Sequence, residues 1–320
     1  MRKLVIQIPC YNEEASLPVT LGELPRSVPG FDAVEWLVVD DGSTDGTAEA
    51  ARRLGVDHVV SLPRNQGLAT AFRTGLETAL RLGADVIVNT DADNQYSASC
   101  IPDLVAPILR GDALIVVGER PIAGTAGFSP VKRLLQRFGS WVVKVASGTE
   151  VADAPSGFRA IHRDAAIRLC VTDRYTYTLE TIIQAGRRQI PIVSVPVRTN
   201  PDLRPSRLVR STPSYVARSM VTIVRIFILY KPLRFFLLAA LVTFLPGAAM
   251  IVRFLFRYAA GHGQGNIQSL VLSGALVAVA ALLAIAGILA DLIATNRMLL
   301  EEVRSRLLAQ ELERLEQSRA

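Results

Sequence analysis

Two uncharged apolar stretches in the last third of the sequence constrain the fold more strongly than any other feature. Residues 235–252 and 267–290 contain no Asp, Glu, Lys or Arg. A helix needs about 20 mostly apolar residues to cross a bilayer, and both stretches are close to or above that length. The alternative is a pair of buried core helices, but uncharged runs of this length are rare in soluble folds. The sequence therefore predicts two transmembrane helices, within residues 232–294.

The charges that flank these stretches predict an orientation. Lys231, Arg234 and Arg297 lie at the ends that face the same side as the N-terminal part of the chain. The positive-inside rule assigns that side to the cytoplasm, although two arginines at the opposite ends weaken the bias. Residues 11–14 read Tyr-Asn-Glu-Glu, which is too polar for the apolar region of a signal peptide. We therefore expect a multi-pass protein of the cell membrane with a cytoplasmic N-terminal domain.

Positive charge is concentrated just before the first apolar stretch. The chain has a net charge of +6, and residues 198–234 contain eight basic residues and one acidic residue. Such a segment is able to bind nucleic acid or anionic lipid, and the neighbouring apolar stretches favour lipid head groups or a lipid phosphate. No nucleic-acid partner is therefore expected. Residues 211–231 are predicted to form an amphipathic juxtamembrane helix that lies in the membrane interface.

The C-terminal residues 295–320 are predicted to form a charged helical tail on the cytoplasmic side. Glu302 and Arg306 are spaced for an ion pair along a helix. Leu308, Leu312 and Leu315 form a short apolar stripe. A protein–protein helix or a coiled coil both remain open, because the stripe covers too few heptads to decide.

A pair of carboxylates follows a short buried strand in the N-terminal part. The apolar run 86–88 is typical of a parallel strand, and Asp91 and Asp93 come directly after it. Ligands of open α/β sheets bind beyond the carboxyl ends of the strands. An Asp-x-Asp pair there is able to hold Mg²⁺ or Mn²⁺, which share oxygen ligands with substrate phosphates. The alternative is an acidic loop that caps the next helix.

Polar loops also follow the first two predicted strands. Residues 11–14 follow strand 3–8, and residues 40–47, rich in Asp, Gly, Ser and Thr, follow strand 36–39. Carboxylates at such positions are able to accept hydrogen bonds from a ribose or a base, whereas ordinary turn chemistry explains the same composition. Residues 65–67 precede a predicted helix, whose N-terminal N–H groups are able to receive a phosphate.

The order of five motifs is more specific than any one of them. In sequence order the motifs are Pro9-x-Tyr11-Asn12-Glu13-Glu14, Val38-Val39-Asp40-Asp41-Gly42-Ser43-Thr44-Asp45, Asn65-x-Gly67, Asp91-Ala92-Asp93-x-Gln95 and Ser156-Gly157-Phe158-Arg159. Over residues 3–210 the chain resembles the family 2 glycosyltransferases of GT-A fold. Within them it looks like the polyprenyl-phosphate glycosyltransferases, the branch of dolichol-phosphate mannose synthase and the bactoprenol glucosyltransferases.

The resemblance implies a fold and a set of roles. Residues 1–210 would form an α/β catalytic domain, Rossmann-like with a mostly parallel sheet, followed by the interfacial helix and the two transmembrane helices. The implied donor-binding residues are Pro9, Tyr11, Glu13, Val39, Asp41, Asp91, Ala92, Arg204 and Arg207. The implied metal ligands, for Mg²⁺ or Mn²⁺, are Asp91, Asp93 and Gln95. The implied catalytic residues are Asp93, Arg120 and Glu180, and Arg120, Lys132 and Arg133 would face the acceptor phosphate.

The resemblance also implies a reaction. A phosphate oxygen of undecaprenyl or dolichyl phosphate would attack the anomeric carbon of a UDP- or GDP-linked sugar, with inversion, giving a lipid-linked monosaccharide. The alternatives are another membrane or envelope glycan acceptor, or a membrane scaffold without activity. A processive synthase is disfavoured because neither tryptophan, Trp36 or Trp141, lies in a Gln-x-x-Arg-Trp element. A dinucleotide-binding enzyme is excluded because no Gly-x-Gly-x-x-Gly follows the first strand. A homo-oligomer is compatible with the sequence.

Overall fold

The protein is described from a computed structural model of all 320 residues. The structure describes residues 2–121, 147–149, 151, 153–171, 177–201, 225, 228, 230–261 and 267–318. The predictions for Lys132, Arg133, Arg204 and Arg207, and for most of the juxtamembrane helix 211–231, lie outside these residues. The chain divides into two compact units, one formed by residues 1–216 with 301–320 and the other by residues 217–300.

Within the described residues, the first unit is built on one sheet of seven strands in the order β3-β2-β1-β4-β6-β5-β7. The strands are β1 (Lys3–Cys10), β2 (Ala33–Asp40), β3 (His58–Ser61), β4 (Val86–Asn89), β5 (Ile115–Glu119), β6 (Arg159–His162) and β7 (Ile192–Pro196). All neighbouring pairs are parallel except those of β6, which runs antiparallel to both β4 and β5. The predicted α/β fold with a mostly parallel sheet is confirmed.

The strand order places several chain segments at one edge of the sheet. The carboxyl ends of β1, β2, β4 and β5 all point to that edge. Because β6 runs in the opposite direction, its first residue, Arg159, lies at the same edge, paired with Asn89 at the end of β4. The loop before β6 therefore meets the loop after β4, which brings Asp91 and Gly157 together although they are distant in sequence.

Helices cover both faces of the sheet. They are α1 (Leu17–Glu23), α2 (Thr47–Arg53), α3 (Leu68–Arg81), a 3₁₀ turn (Ala98–Cys100), α4 (Ile101–Leu109), α5 (Arg163–Arg168) and α6 (Tyr177–Arg187). On one face, buried side chains of α1 and α4 pack on the aliphatic side chains of β1 and β4. On the other, Gly75 of α3 lies so close to the sheet that a Cβ there would be 2.4 Å from Oε1 of Gln7. A glycine at this position lets α3 approach the strand that carries Gln7.

Two long helices follow, α7 (Pro232–Ala259) and α8 (Ile267–Gln317). Both contain a window apolar enough to cross a membrane, with mean hydropathies of 2.4 and 2.7, so both are candidate membrane spans. In the second unit they pack through glycines. A Cβ at Gly247 would be 3.1 Å from Cβ of Leu276, and one at Gly287 would be 2.9 Å from Cβ of Phe236. Small residues allow such close helix contacts in lipid.

Candidate active site

The carboxylate pair lies at the carboxyl edge of the sheet, directly after β4. Burial is the main cause that raises the pKa of Asp91 to about 7, and the neighbouring charge of Asp93 raises it further. Arg120 and Arg159 oppose that shift. The backbone N–H of Gln95 donates to Oδ1 of Asp93 at 3.1 Å. Two coupled carboxylates, one of them largely desolvated, form a site that favours a bound cation over two free negative charges.

The pair does not cap the next helix. The residue preceding the 3₁₀ turn is Ser97, and the residue preceding α4 is Cys100. The capping interpretation of the Asp-x-Asp motif is therefore wrong. Both aspartates remain available for a ligand at the edge of the sheet.

Gly157 lets the loop before β6 approach Asp91 closely. A Cβ at Gly157 would lie 2.9 Å from Oδ2 of Asp91 and 3.0 Å from the hydroxyl oxygen of Tyr177. The N–H of Gly157 donates to the hydroxyl oxygen of Tyr96 at 3.2 Å, and its carbonyl accepts from Nδ2 of Asn89 at 2.7 Å. The glycine of the Ser-Gly-Phe-Arg motif is thus required by contact with the carboxylate site.

Arg159 of the same motif is fully buried and shapes the loop. Its Nε donates to the carbonyl of Ser156 and its Nη2 to the carbonyl of Ala154, each at 2.8 Å. A third hydrogen bond runs from Nη1 to Oγ1 of Thr181 in α6. Burial lowers the pKa of Arg159 to about 10, and negative charge nearby, including that of Asp91, opposes the shift. Arg159 therefore holds the loop against Asp91, a role that the motif alone did not reveal.

Arg120, which follows β5, is held by Asp153. Its Nε and Nη2 donate to the two carboxylate oxygens of Asp153 at 2.7 and 3.0 Å, and its Nη1 donates to Oε1 of Gln95 at 3.4 Å. The Asp153 side chain is fully buried, whereas that of Arg120 remains 29% exposed. This fork-to-fork geometry fixes the guanidinium plane. It also brings Arg120 and Gln95 together, and their roles at a shared site remain predictions.

The sequence reasoning assigned no role to Asp153. The residue begins an Asp-Ala-Pro-Ser turn, which is ordinary loop composition. The available signal was the proximity of that turn to the Ser-Gly-Phe-Arg motif. An acidic residue just before a strand that enters the carboxyl edge of the sheet is well placed to pair with an arginine there.

A cavity of about 620 Å³ lies beside the loops that follow β1, β2 and β3. Its lining includes Tyr11, Asp40, Ser43, Arg64 and Asn65. The loops after β1 and β2 are bonded to each other. Oδ1 of Asn12 accepts from the N–H of Thr44 at 2.8 Å, and Oγ of Ser43 accepts from the N–H of Asn12 at 2.9 Å. Asn12 therefore bridges the two loops and does not cap the following helix, which begins at Leu17 after Ser16.

Asp41 locks the third loop in place. Its Oδ1 and Oδ2 accept from the N–H groups of Gln66 and Gly67, both at 2.8 Å. Burial is the main cause that raises its pKa, and these two hydrogen bonds oppose the shift. Gly42 completes the contact, because a Cβ there would be 2.4 Å from the carbonyl carbon of Arg64. The structure thus gives Asp41 a positioning role; direct contact with a nucleoside remains a prediction.

The remaining predicted donor residues surround this cavity and the carboxylates. Pro9 and Val39 are buried register partners on the neighbouring strands β1 and β2. Tyr11 is exposed. The carboxylate of Glu13 accepts from Oγ of Ser16. Ala92 is buried, and its carbonyl accepts from Oγ1 of Thr20 at 2.8 Å. Their donor contacts remain predictions.

Glu180 lies in the first turn of α6 and is buried. Nε2 of Gln184 donates to its Oε1 at 3.4 Å. Its catalytic role remains a prediction.

The sequence model described as glycosyl transferase family 2 matches residues 5–170 of the chain. An undecaprenyl-phosphate mannosyltransferase of Micrococcus luteus is 33% identical over 207 residues, which are 62% of this chain and 83% of that protein. An uncharacterized glycosyltransferase of Mycobacterium tuberculosis is 34% identical over 200 residues, 62% of this chain and 85% of that protein. These matches extend beyond the carboxylate motif to most of the first unit.

Solved structures resemble the same region. Glucosyl-3-phosphoglycerate synthase of Mycobacterium tuberculosis, in complex with phosphoglyceric acid, aligns with a TM-score of 0.54 at 24% identity, covering 69% of this chain and 80% of that one. The same enzyme in complex with Mn²⁺, uridine diphosphate and glucosyl-3-phosphoglycerate aligns with a TM-score of 0.54 at 23% identity, with the same coverage. The likeness shows that the fold is shared.

Proposed function

The chain belongs to glycosyl transferase family 2 and is a glycosyltransferase, and from that membership we propose that it transfers a sugar from a nucleotide sugar to polyprenyl phosphate. The product would be a lipid-linked monosaccharide, formed with inversion at the anomeric carbon. The first unit would act in the cytoplasm, with the chain held in the cell membrane by α7 and α8.

One observation carries this proposal. The same chain combines an arginine fixed beside a carboxylate pair with two helices apolar enough to span a membrane. The arginine supplies positive charge next to the site where the carboxylates would hold the donor diphosphate. The apolar helices would keep the enzyme at the surface where a lipid phosphate is found. The Micrococcus luteus relative, named an undecaprenyl-phosphate mannosyltransferase, supports this choice of acceptor.

The carboxylate site fits a divalent cation. Asp91 and Asp93 offer oxygen donors of the kind that Mg²⁺ and Mn²⁺ prefer, and the burial that raises the pKa of Asp91 makes its negative charge costly without a cation. Proteins typically supply Mg²⁺ with one or two carboxylate ligands, and phosphates and water provide the others. Solved neighbours of the same fold contain Mn²⁺ or Mg²⁺ with uridine diphosphate. The cation, when bound, would neutralise charge on the leaving diphosphate.

The residues of the chain would act mainly by positioning and electrostatics. The attacking phosphate oxygen of the lipid is already anionic, so the reaction needs no strong general base. Arg120, oriented by Asp153, would bind the acceptor phosphate and reduce its repulsion from the donor diphosphate. Gln95 accepts from the same guanidinium and would keep it next to the Asp-x-Asp loop. Correct alignment of two anionic reactants is then the main contribution to catalysis.

Mannose is the first sugar to test, because the Micrococcus luteus relative is named a mannosyltransferase. The described residues do not include Arg204 and Arg207, which were predicted to contact the donor. Glucose from UDP and mannose from GDP both remain within the proposal.

The test uses the purified full chain in detergent with Mn²⁺ or Mg²⁺, undecaprenyl phosphate and a panel of nucleotide sugars. We expect one donor to be consumed with formation of a lipid-soluble sugar. Donor turnover with another membrane glycan acceptor, and none with undecaprenyl phosphate, would instead support the alternative acceptor. A stable protein partner with no turnover on any acceptor would support the scaffold.

A further inference from the structure

The end of α8 belongs to the first unit. Residues 301–317, which we call the strap, contact helices that cover the sheet. Four ion pairs join the strap to α3, to α5 and to Arg188, which directly follows α6. They are Glu301–Arg188 at 3.0 Å, Arg304–Glu77 at 2.5 Å, Glu311–Arg81 at 2.9 Å and Glu316–Arg163 at 2.5 Å. The strap contributes three acidic residues and one basic residue to these pairs, each opposite a residue of the other sign, so the match depends on register.

An apolar contact accompanies the ion pairs. Leu308 and Leu312 of the strap are 8% and 2% exposed, and Ser305 on the same helix face is 6% exposed. In addition, Nη1 of Arg304 donates to the carbonyl of Leu169 after α5 at 3.3 Å. Two of the three leucines of the predicted apolar stripe thus face the chain's own domain. A buried leucine pair at helical spacing indicates a seated helix rather than a solvated tail.

The helices that the strap joins also carry residues of the site. Phe72 of α3 stacks on Tyr177 of α6 with ring centroids 4.1 Å apart. The hydroxyl of Tyr177 accepts from Nδ2 of Asn89 at 3.4 Å, next to Gly157. At the start of α3, the N–H of Gly67 donates to Asp41. A shift of α3 or α6 would therefore reach both the carboxylate loop and the loop held by Asp41.

We propose that the strap is an intramolecular positioning element that holds α3 and α6 in the arrangement required for donor binding. The affinity for a nucleoside diphosphate then depends on a segment more than two hundred residues away in sequence, as the Arg304–Glu77 separation of 227 residues illustrates. The inference rests on the proposed function in one respect, which is that the donor contains a nucleoside diphosphate. It needs no lipid acceptor.

The Arg304–Glu77 pair is the best place to test the strap. Its side chains are 33% and 30% exposed, so solvent screens the pair less than a fully exposed one. Arg306 offers a matched control, because it lies on the same helix, is 76% exposed and, among the residues that the structure describes, pairs with Glu302 one turn away. Arg304→Glu and Arg306→Glu make the same change of charge, and the double variant Glu77→Arg with Arg304→Glu restores the pair with its signs exchanged.

The experiment uses the full chain in detergent and two readouts. Hydrogen exchange reports the protection of residues 301–317 and 68–81, and calorimetry reports the binding of UDP and GDP in the presence of Mn²⁺. For Arg304→Glu we expect about tenfold faster exchange in both segments and about fivefold weaker binding of the nucleotide that the wild type binds. We expect Arg306→Glu to stay within about twofold of wild type, and the double variant to recover most of both losses.

Several results would overturn the proposal. Equal exchange rates and equal affinities in Arg304→Glu and Arg306→Glu would mean that the strap does not hold the helices. Faster exchange with unchanged nucleotide affinity in Arg304→Glu would show that the strap is a structural contact only. A wild type that binds neither UDP nor GDP would exclude a role of the strap in donor binding. A wild type that binds nucleotide but transfers no sugar to polyprenyl phosphate would contradict the proposed function. The effect of the strap on nucleotide affinity would still be measured by the same variants.

Discussion

At the scale of single residues, the charge state of Asp91 sets a pH dependence. Burial and Asp93 raise its pKa from 3.8 to about 7 in the folded chain. The protonated form is thus favoured by folding. Without a cation, the contribution of Asp91 to stability is complete below pH 4 and is lost as the pH rises through about 7.

Cation binding should follow the opposite trend, because a bound Mn²⁺ requires the ionised carboxylate. We expect the affinity for Mn²⁺ to fall about tenfold per pH unit below the pKa of Asp91 and to level off above it. Titration of the full chain with Mn²⁺ between pH 5 and pH 8 measures this affinity on both sides of the Asp91 pKa of about 7. In Asp91→Asn the pH-dependent part should disappear. An affinity that does not change across the range would contradict the assignment.

The pairing of Arg120 with Asp153 predicts a second effect at this scale. Asp153→Asn removes the charge that orients the guanidinium, so we expect kcat/KM for polyprenyl phosphate to fall about tenfold to a hundredfold. Steady-state kinetics with each substrate varied separately should place most of the loss on the acceptor. Asp112→Asn, which breaks an exposed pair with Arg110, is the matched control. Equal losses in the two variants would exclude a positioning role for Asp153.

Some residues of the site were predictable from sequence and others were not. Asp91 and Asp93 were predicted because they directly follow an apolar strand of an α/β sheet, whereas the role of Arg120 was predicted from the family resemblance. Arg159 was quoted only as part of a motif, since a fully buried arginine cannot be distinguished from a surface arginine without its partners. Asp153 was missed because its carboxylate binds Arg120, which is 33 residues away in sequence, and local patterns do not reveal such a contact.

At the scale of elements, the parallel strands were predicted well because buried strands of this kind are short continuous apolar runs. The observed bounds differ by a few residues, as for β2, which begins at Ala33 rather than Trp36. The antiparallel direction of β6 had no signal in the sequence. It follows from pairing with both β4 and β5, a long-range contact that local patterns do not contain.

The close packing of α7 and α8 gives a prediction at this scale. Gly247→Leu would force a side chain into a space where a Cβ is already 3.1 Å from Leu276. Overpacking of this kind costs about 1–3 kcal/mol, so we expect a lower unfolding temperature in detergent. Gly274→Leu is the control, because a Cβ at Gly274 meets no atom within 4 Å among the described residues. Equal unfolding temperatures for the two variants would contradict the packing.

At the scale of the whole molecule, the sequence predicted a catalytic domain, two apolar helices and a charged tail. The structure has two compact units, and residues 301–320 belong to the unit that contains the sheet. Composition could not reveal this, because a helix with mixed charges and a short leucine stripe is also typical of a solvated tail. The partners of the strap are specified by ion pairs between residues far apart in the sequence, such as Arg81 and Glu311, which are 230 residues apart.

The central claim is that the chain transfers a sugar to polyprenyl phosphate. The most direct measurement is the mass of the lipid extracted after the full chain is incubated with undecaprenyl phosphate, Mn²⁺ and GDP-mannose or UDP-glucose. We predict a lipid heavier than undecaprenyl phosphate by one hexose residue, formed by the wild type and reduced about a hundredfold or more in Asp93→Ala. Extracted lipid of unchanged mass with every donor, while a control relative gives the product, would contradict the claim.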